Sequence, residues 1–247
     1  MLNKNDLSKK IAYISINPTG KFVRSAQIGM MECGLSPRTM IHVSARSRIH
    51  RELRKYRMGT WSRFLLPKFK QHFGNSKSFS DHQINIEIDT TIKVPNLNSE
   101  ETVNALKQRG IKYLVNCGAG IFRAKIINVP DLQIINAHAG KLPHYRNMNV
   151  VEWAVYNGDP IVGTVHLIDE GIDTGSILKE KELKISRKMD FDDVRKKAFH
   201  EVIRMVGGVI LDLEEGRIKP EIQAPGGKRW YVMHPYFLNE ISRRCGA

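Results

Sequence analysis

Cysteine is scarce in this chain of 247 residues: Cys33, Cys117 and Cys245 stand far apart, are odd in number and form no Cys-x-x-Cys pair. That argues against a disulfide framework and against a zinc site. No apolar run approaches the length of about 20 residues needed to span a bilayer. The opening MLNKNDLSKKIAYISI puts lysines ahead of a short apolar run without a secretory h-region or cleavage site, so it reads as a polar lead-in to a first strand and the expected compartment is the cytosol. Acids are in deficit as well, 25 Asp and Glu against 39 Lys and Arg, for a formal net charge of +14. Such an excess raises a nucleic-acid reading, but much of it is local: residues 46–70 carry nine lysines and arginines against the one acid Glu52.

What is present is the pattern of a soluble domain. The hydrophobic fraction is an ordinary 41%, and the length suits one large domain, or one with an appendage, able to bury a substantial core. Residues 10–16 (KIAYISI) read as a first strand, followed by the turn NPTG and a helix over 21–33. RTMIHVSA is a second strand. In the basic stretch, Ile49, Leu53, Tyr56, Thr60, Phe64 and Leu65 fall near helical spacing until Pro67 interrupts, which describes an amphipathic helix with a solvated basic face. Residues 98–110 have a capping Ser99, early acids, late Lys and Arg and a closing glycine, the start and stop signals of a helix. Two strands follow, IKYLVN running into a glycine-rich turn CGAG, and PDLQIINAH. Residues 149–158 read as a short helix with Asn149 as cap, Glu152 in capping-box position and Gly158 closing it,. IVGTVHLI is strand-like, DEGIDTG is a tight acidic loop, and 190–216 form a long amphipathic helix. Strand and helix alternate, the mark of an open, mostly parallel, Rossmann-like α/β sheet with helices on both faces.

In such sheets ligands bind beyond the carboxyl ends of the strands. Asn136 and His138 stand there, two residues apart and therefore on one face. Alone, the pair reads first as hydrogen-bonded packing residues. Its company adds to it. Asn136 and His138 form an Asn-x-His, the loop Leu142, Pro143, Tyr145, Arg146 follows, and Asp173, Thr174 and Gly175 form an Asp-Thr-Gly loop after another strand. In these motifs, densest over residues 113–178, the chain resembles the 10-formyltetrahydrofolate-dependent formyltransferases: glycinamide ribonucleotide transformylase, the methionyl-tRNA formyltransferase catalytic domain and the sugar N-formyltransferases. It departs from them at Lys141, where the family has Ser or Leu, and at Asn147, where it has Gly.

The resemblance implies the formyltransferase fold and transfer of a formyl group from 10-formyltetrahydrofolate to a primary amine. That reaction passes through a tetrahedral species with negative oxygen and positive nitrogen, and needs an oxyanion donor and a proton route. Asn136 and a protonated His138 would donate to the oxygen; Asp173 would orient His138, favour its charged form and take the amine's proton. No covalent enzyme intermediate and no metal are expected, since no His spacing suits a ligand set. By the same resemblance the folate lies against Gly118, Ala119, Gly120, Ile121 and Phe122 and against Ile168, Asp169 and Gly171, while Lys141, Tyr145, Arg146 and Asn147 face the acceptor.

The expected division is a catalytic domain over 1–216, with a basic insertion near 46–72, and an extension over 217–247. A methionyl-tRNA formyltransferase carries a further C-terminal domain of about a hundred residues, whereas about seventy residues follow the Asp173 loop here. The expected acceptor is therefore an amino sugar linked to a nucleotide. Glycinamide ribonucleotide transformylase is the alternative within the family. A 10-formyltetrahydrofolate hydrolase is the alternative of another reaction class, although residues 1–10 leave no room for its regulatory domain. The aromatic, basic tail GGKRWYVMHPYFLNEISRR reads as a docked terminal segment, and by resemblance as a piece that helps form a homodimer or flanks the acceptor pocket. The basic stretch, with Tyr56, Trp61, Phe64 and Phe69 able to stack, reads first as a solvated helix face, with binding of nucleic acid or an anionic membrane as the less favoured alternative and an RNA-binding module on the same scaffold as the reading outside enzymes.

Overall fold

The computed structural model describes residues 2–44, 87–184 and 189–245. The basic stretch at 46–72, with its aromatic residues, lies outside them. A short helix α1 (Lys4–Lys9) leads into β1 (Ile11–Ser15), every residue of which is buried. Alternation sends Ile11 and Tyr13 into one hydrophobic layer and Ala12 and Ile14 into another, so both faces of the strand are covered. That is why the run is apolar throughout rather than alternating.

From β1 the chain passes through α2 (Lys21–Glu32) to β2 (Thr39–Val43) and β3 (Thr90–Val94) at one edge. It then returns through α3 (Glu100–Gln108) to β4 (Tyr113–Asn116), α4 (Ala124–Ile127) and β5 (Gln133–His138) on the other side of β1. β6 (Tyr145–Asn147) leaves the sheet, α5 (Val150–Asn157) crosses, and β7 (Val162–Leu167) and β8 (Ile177–Glu182) complete it. The strand order is β3-β2-β1-β4-β5-β7-β8, parallel from β3 to β5, with β7 and β8 antiparallel. The direction of winding reverses between β1 and β4, where a doubly wound sheet opens a crevice beyond its strand ends. The expected Rossmann-like sheet is observed.

The long helix α6 (Phe191–Glu214) lies against α2 at a glycine contact. A Cβ on Gly207 would stand 2.5 Å from the Gly29 carbonyl oxygen, and one on Gly29 would overlap the carbonyl of Arg204. The two backbones touch, and this layer buries Val23, Ala26 and Met30 against Val202, Ile203 and Val206. After α6 the chain crosses Ile177 in an isolated bridge at Glu221, lays β9 (Lys228–Trp230) parallel to β6, and ends in α7 (Pro235–Cys245) against α5. Trp230 stacks on Tyr145, centroids 5.4 Å apart, and meets Trp153 at 4.7 Å.

The capping box expected at α5 does not form. Asn149 takes a left-handed conformation (φ 52°), its amide N–H donates to Glu152 Oε1 at 2.6 Å and its Oδ1 accepts from Met233 N at 3.4 Å, while Glu152 also pairs with Arg195 Nε at 3.2 Å. Among the described residues no helix is long and apolar enough to cross a membrane.

The glycine contact predicts opposite outcomes for neighbouring substitutions. Gly29→Ala should cost about 1–3 kcal/mol through forced separation of the helices. Gly208→Ala, whose Cβ meets nothing closer than Cys33 Sγ at 3.9 Å among the described residues, should stabilise by about 0.5–1 kcal/mol through helix propensity. Urea midpoints at unchanged m-value check both.

Candidate active site

Three adjacent strands place a polar row on one face of the sheet. Asn116 ends β4, Asn136 lies beside it on β5, and His166 is the β7 partner of Asn136. Asn116 Nδ2 donates to Asn136 Oδ1 at 3.0 Å, and Asn136 Nδ2 lies 3.1 Å from His166 Nε2. His166 Nδ1 is 2.7 Å from the Leu167 carbonyl, which can only accept, so Nδ1 carries the hydrogen and Nε2 accepts from Asn136. At the other end, Asn116 Oδ1 takes the backbone N–H groups of Gly118 and Ala119 at 3.2 and 3.0 Å. Each amide in the row thus has one orientation that satisfies its neighbours. The second N–H of Asn136 meets no partner among the described residues and is available to a ligand in the cleft that Asn136 lines.

The loop after β7 is built from close approaches. A Cβ at Gly171 would overlap the Thr174 hydroxyl, and one at Gly175 the Leu167 carbonyl. Asp169 Oδ1 accepts from Gly171 N at 3.0 Å and from Thr174 Oγ1 at 2.6 Å, which turns the chain so that Asp173, at φ 53°, faces inward. Its Oδ2 accepts from Asn147 N at 2.8 Å. His138 Nδ1 stands 3.8 Å from Oδ2 and His166 Nε2 stands 3.6 Å from Oδ1. His138 Nε2 lies 2.6 Å from the Tyr145 carbonyl and must donate to it, so the Nδ1 edge is the one turned to Asp173,. Gly140 keeps that contact open: a Cβ there would stand 3.0 Å from His138 Nε2 and 2.9 Å from the Tyr145 oxygen.

Burial, and next the nearby His138, push the His166 pKa down to about 4, against a smaller upward pull from Asp173. His166 is therefore neutral at physiological pH, as its acceptor role toward Asn136 requires.

A cleft of about 200 Å³ opens in front of the row. Of the residues expected at the site, Gly120, Ile121, Phe122, Asn136, Asn147, Ile168, Asp169, Gly171 and Asp173 line it. The others lie outside the lining. His138 is behind Asp173 with 8% of its side chain exposed, and Gly118 and Ala119 are turned to Asn116. Lys141 points to solvent. Tyr145 is buried against Trp230, with its hydroxyl donating to Asp159 and accepting from Asn157. Arg146 donates to Gln223 Oε1 at 2.8 Å. Among the described residues no group of three or more His, Cys, Asp or Glu is placed to hold a metal ion.

The family profile described as "Formyl transferase" matches residues 45–206, well over half of the chain. The chain belongs to the formyl transferase family. It is 31% identical over 146 residues to the methionyl-tRNA formyltransferase of Clostridium acetobutylicum, which covers 56% of this chain and 45% of that one. The chain thus spans less than half the length of such curated relatives. Solved structures share its fold: a 4-N formyltransferase from Francisella tularensis (TM-score 0.58, 18% identity, 96% of this chain and 88% of that one) and a sugar N-formyltransferase from Shewanella sp FDAARGOS_354 (TM-score 0.54, 17% identity, 89% and 75%).

Within this family fold, Asn116 and His166 are the site residues that motif reading missed. A signal for Asn116 existed, since VNCG repeats the strand-ending asparagine of INAH. His166 had none, because its partnership with Asn136 depends on the antiparallel register of β7.

His166 also predicts a pH dependence of stability. Between pH 6.5, the ordinary histidine value, and about 4, the unfolded chain binds a proton that the folded chain refuses. The stability held by neutral His166 is fully present above pH 6.5 and is lost as pH falls to about 4, by an amount on the order of 3 kcal/mol. His166→Gln, still able to accept from Asn136, should remove that part of the acid slope, as read from urea midpoints at a series of pH values.

Proposed function

We propose that the protein transfers a formyl group from 10-formyltetrahydrofolate to a primary amine. The observation that carries the reading is that Asn136 and Asp173 line the cleft beyond β5 with His138 directly behind Asp173, so that a free amide N–H faces the cleft beside a carboxylate backed by an imidazole. The cleft suits the ring end of the donor. Its lining mixes apolar residues, Ile121, Phe122, Ile168 and Ile172, with polar ones that include Asn116, Asn136 and Asp173. Ile121 is left 64% exposed at the lip. The volume is below the range of about 300–1,000 Å³ for sites that take a whole drug-sized ligand, so the rest of a folate would extend outward.

The bound donor supplies an activated formyl carbon. Asn136 presents its free N–H to the formyl oxygen, which gains negative charge as the amine nitrogen bonds to carbon. Asp173 faces the cleft and takes the proton that the attacking nitrogen sheds. His138, with Nε2 held by the Tyr145 carbonyl, shares that proton through its Nδ1 edge. The folate nitrogen would leave with the proton held by Asp173 and His138, so one N–H is lost at the amine and one gained at the donor. The locked orientation of Asn136 means that its N–H needs no reorganisation as charge develops, which is where such donors gain their effect.

For the acceptor, the reading is an amino sugar linked to a nucleotide. Arg146 and Arg229 are register neighbours in the β6–β9 pair, next to the cleft residue Asn147. Neither has a carboxylate partner among the described residues, so this edge suits a phosphate-bearing acceptor. Methionyl-tRNA is the second reading, favoured by the sequence relatives that carry that name.

The decisive assay follows release of tetrahydrofolate from 10-formyltetrahydrofolate, without amine and with nucleotide-linked amino sugars, glycinamide ribonucleotide or methionyl-tRNA. Release that depends on one amine supports the transferase and identifies the acceptor. Release without amine means a hydrolase, and no release with any of them overturns the reading. His138→Ala and Asp173→Asn should each lower kcat by about two to four orders of magnitude with the far-UV circular dichroism unchanged.

A further inference from the structure

Gln223 lies in the segment between α6 and β9, outside every motif of the sequence, yet its side chain makes three hydrogen bonds. Its Nε2 donates to the Asp173 carbonyl at 3.0 Å and to the Gly175 carbonyl at 2.7 Å, and its Oε1 accepts from Arg146 at 2.8 Å. A primary amide has two N–H groups and both are used. Carbonyls only accept and a guanidinium only donates, so the amide has one orientation. A carboxylate would lose both donors, and an alanine would lose all three contacts. The segment arrives in register because Glu221 and Ile177 exchange backbone hydrogen bonds at 2.8 Å each, which sets Gln223 opposite the loop.

These contacts close a circuit. Gln223 holds the backbone of Asp173, the Asp173 carboxylate accepts from Asn147 N, Asn147 follows Arg146 in β6, and Arg146 returns to Gln223. Asp173 needs such a hold, since its left-handed backbone (φ 53°) is disfavoured for any residue with a Cβ,. We infer that Gln223 is a positioning residue that keeps the Asp173 carboxylate facing His138 and ties the acceptor-side Arg146 to the same anchor. The inference rests on the role given above to Asp173.

Amide hydrogen exchange at Asn147 reports the carboxylate directly, because Asp173 Oδ2 is the acceptor of that N–H. In Gln223→Ala, exchange at Asn147 should quicken by about tenfold while amides of α2 and β5 keep their rates. Gln223→Glu, of the same size, should do likewise and carries the test if the alanine variant does not fold. Both variants should lose about tenfold or more in kcat with little change in the KM for 10-formyltetrahydrofolate. Unchanged protection at Asn147, or a rise shared equally by α2 and β5, overturns the inference. Absence of turnover in the wild-type protein would instead overturn the function proposed for the site, and the exchange experiment would still decide whether Gln223 positions Asp173.

Discussion

Asp173 stands between two imidazoles, 3.8 Å from His138 and 3.6 Å from His166, with little of any of the three side chains open to water. One carboxylate cannot balance two imidazolium ions whose centroids are 6.2 Å apart in so dry a setting,. Burial resolves the conflict by keeping His166 neutral. The neutral ring can then accept from Asn136, and His138 is left as the ring able to share a proton with Asp173. The orientation of the asparagine row depends on that neutral ring, while the hydrogen bonds of Asp169 hold the Asp173 loop turned toward it.

The scaffold around this arrangement supplies rigidity from regular elements and strain from loops. Asn136 and His166 are on paired strands, so their separation is fixed by the ladder. Asp173 is on a loop, and its left-handed backbone is held by glycine approaches, by Asp169 and by the segment that carries Gln223. The same division holds across many sites in which a sheet carries the donors and a loop carries the group that must be placed last.

Much of this was legible in the sequence where local chemistry decides the outcome. The expected strands over 10–16 and 130–138 correspond to β1 and β5, and the expected helices over 21–33, 98–110 and 190–216 to α2, α3 and α6, each within a few residues. The strands left unread are β3, β6, β8 and β9, whose signals are weak: β3 (TTIKV) lies at one edge of the sheet with a single buried position. β8 (ILKEKE) is an edge strand with four exposed positions, and β6 and β9 have three residues each and form only because they find one another. The capping box at Asn149 did not form because the residue is left-handed and its side-chain oxygen accepts from Met233 N, a residue 84 positions away. Asn136, His138 and Asp173 could be found from motif spacing, but His166 and Gln223 could not, since each matters only through a residue distant in the chain.

The pairing of β6 with β9 has a consequence for how the site comes into being. Asn147 and Trp230 are 83 residues apart, and α5, β7, β8 and α6 lie between them. The intervening elements must be in place before the two short strands can meet, because closing so long a loop costs entropy that three residue pairs recover poorly by themselves. The chain therefore acquires its sheet first and its finished cleft afterwards. A chain shortened to end before Gln223 would hold most of its core, α6 included, with Asp173 not yet secured, and would be folded without being competent.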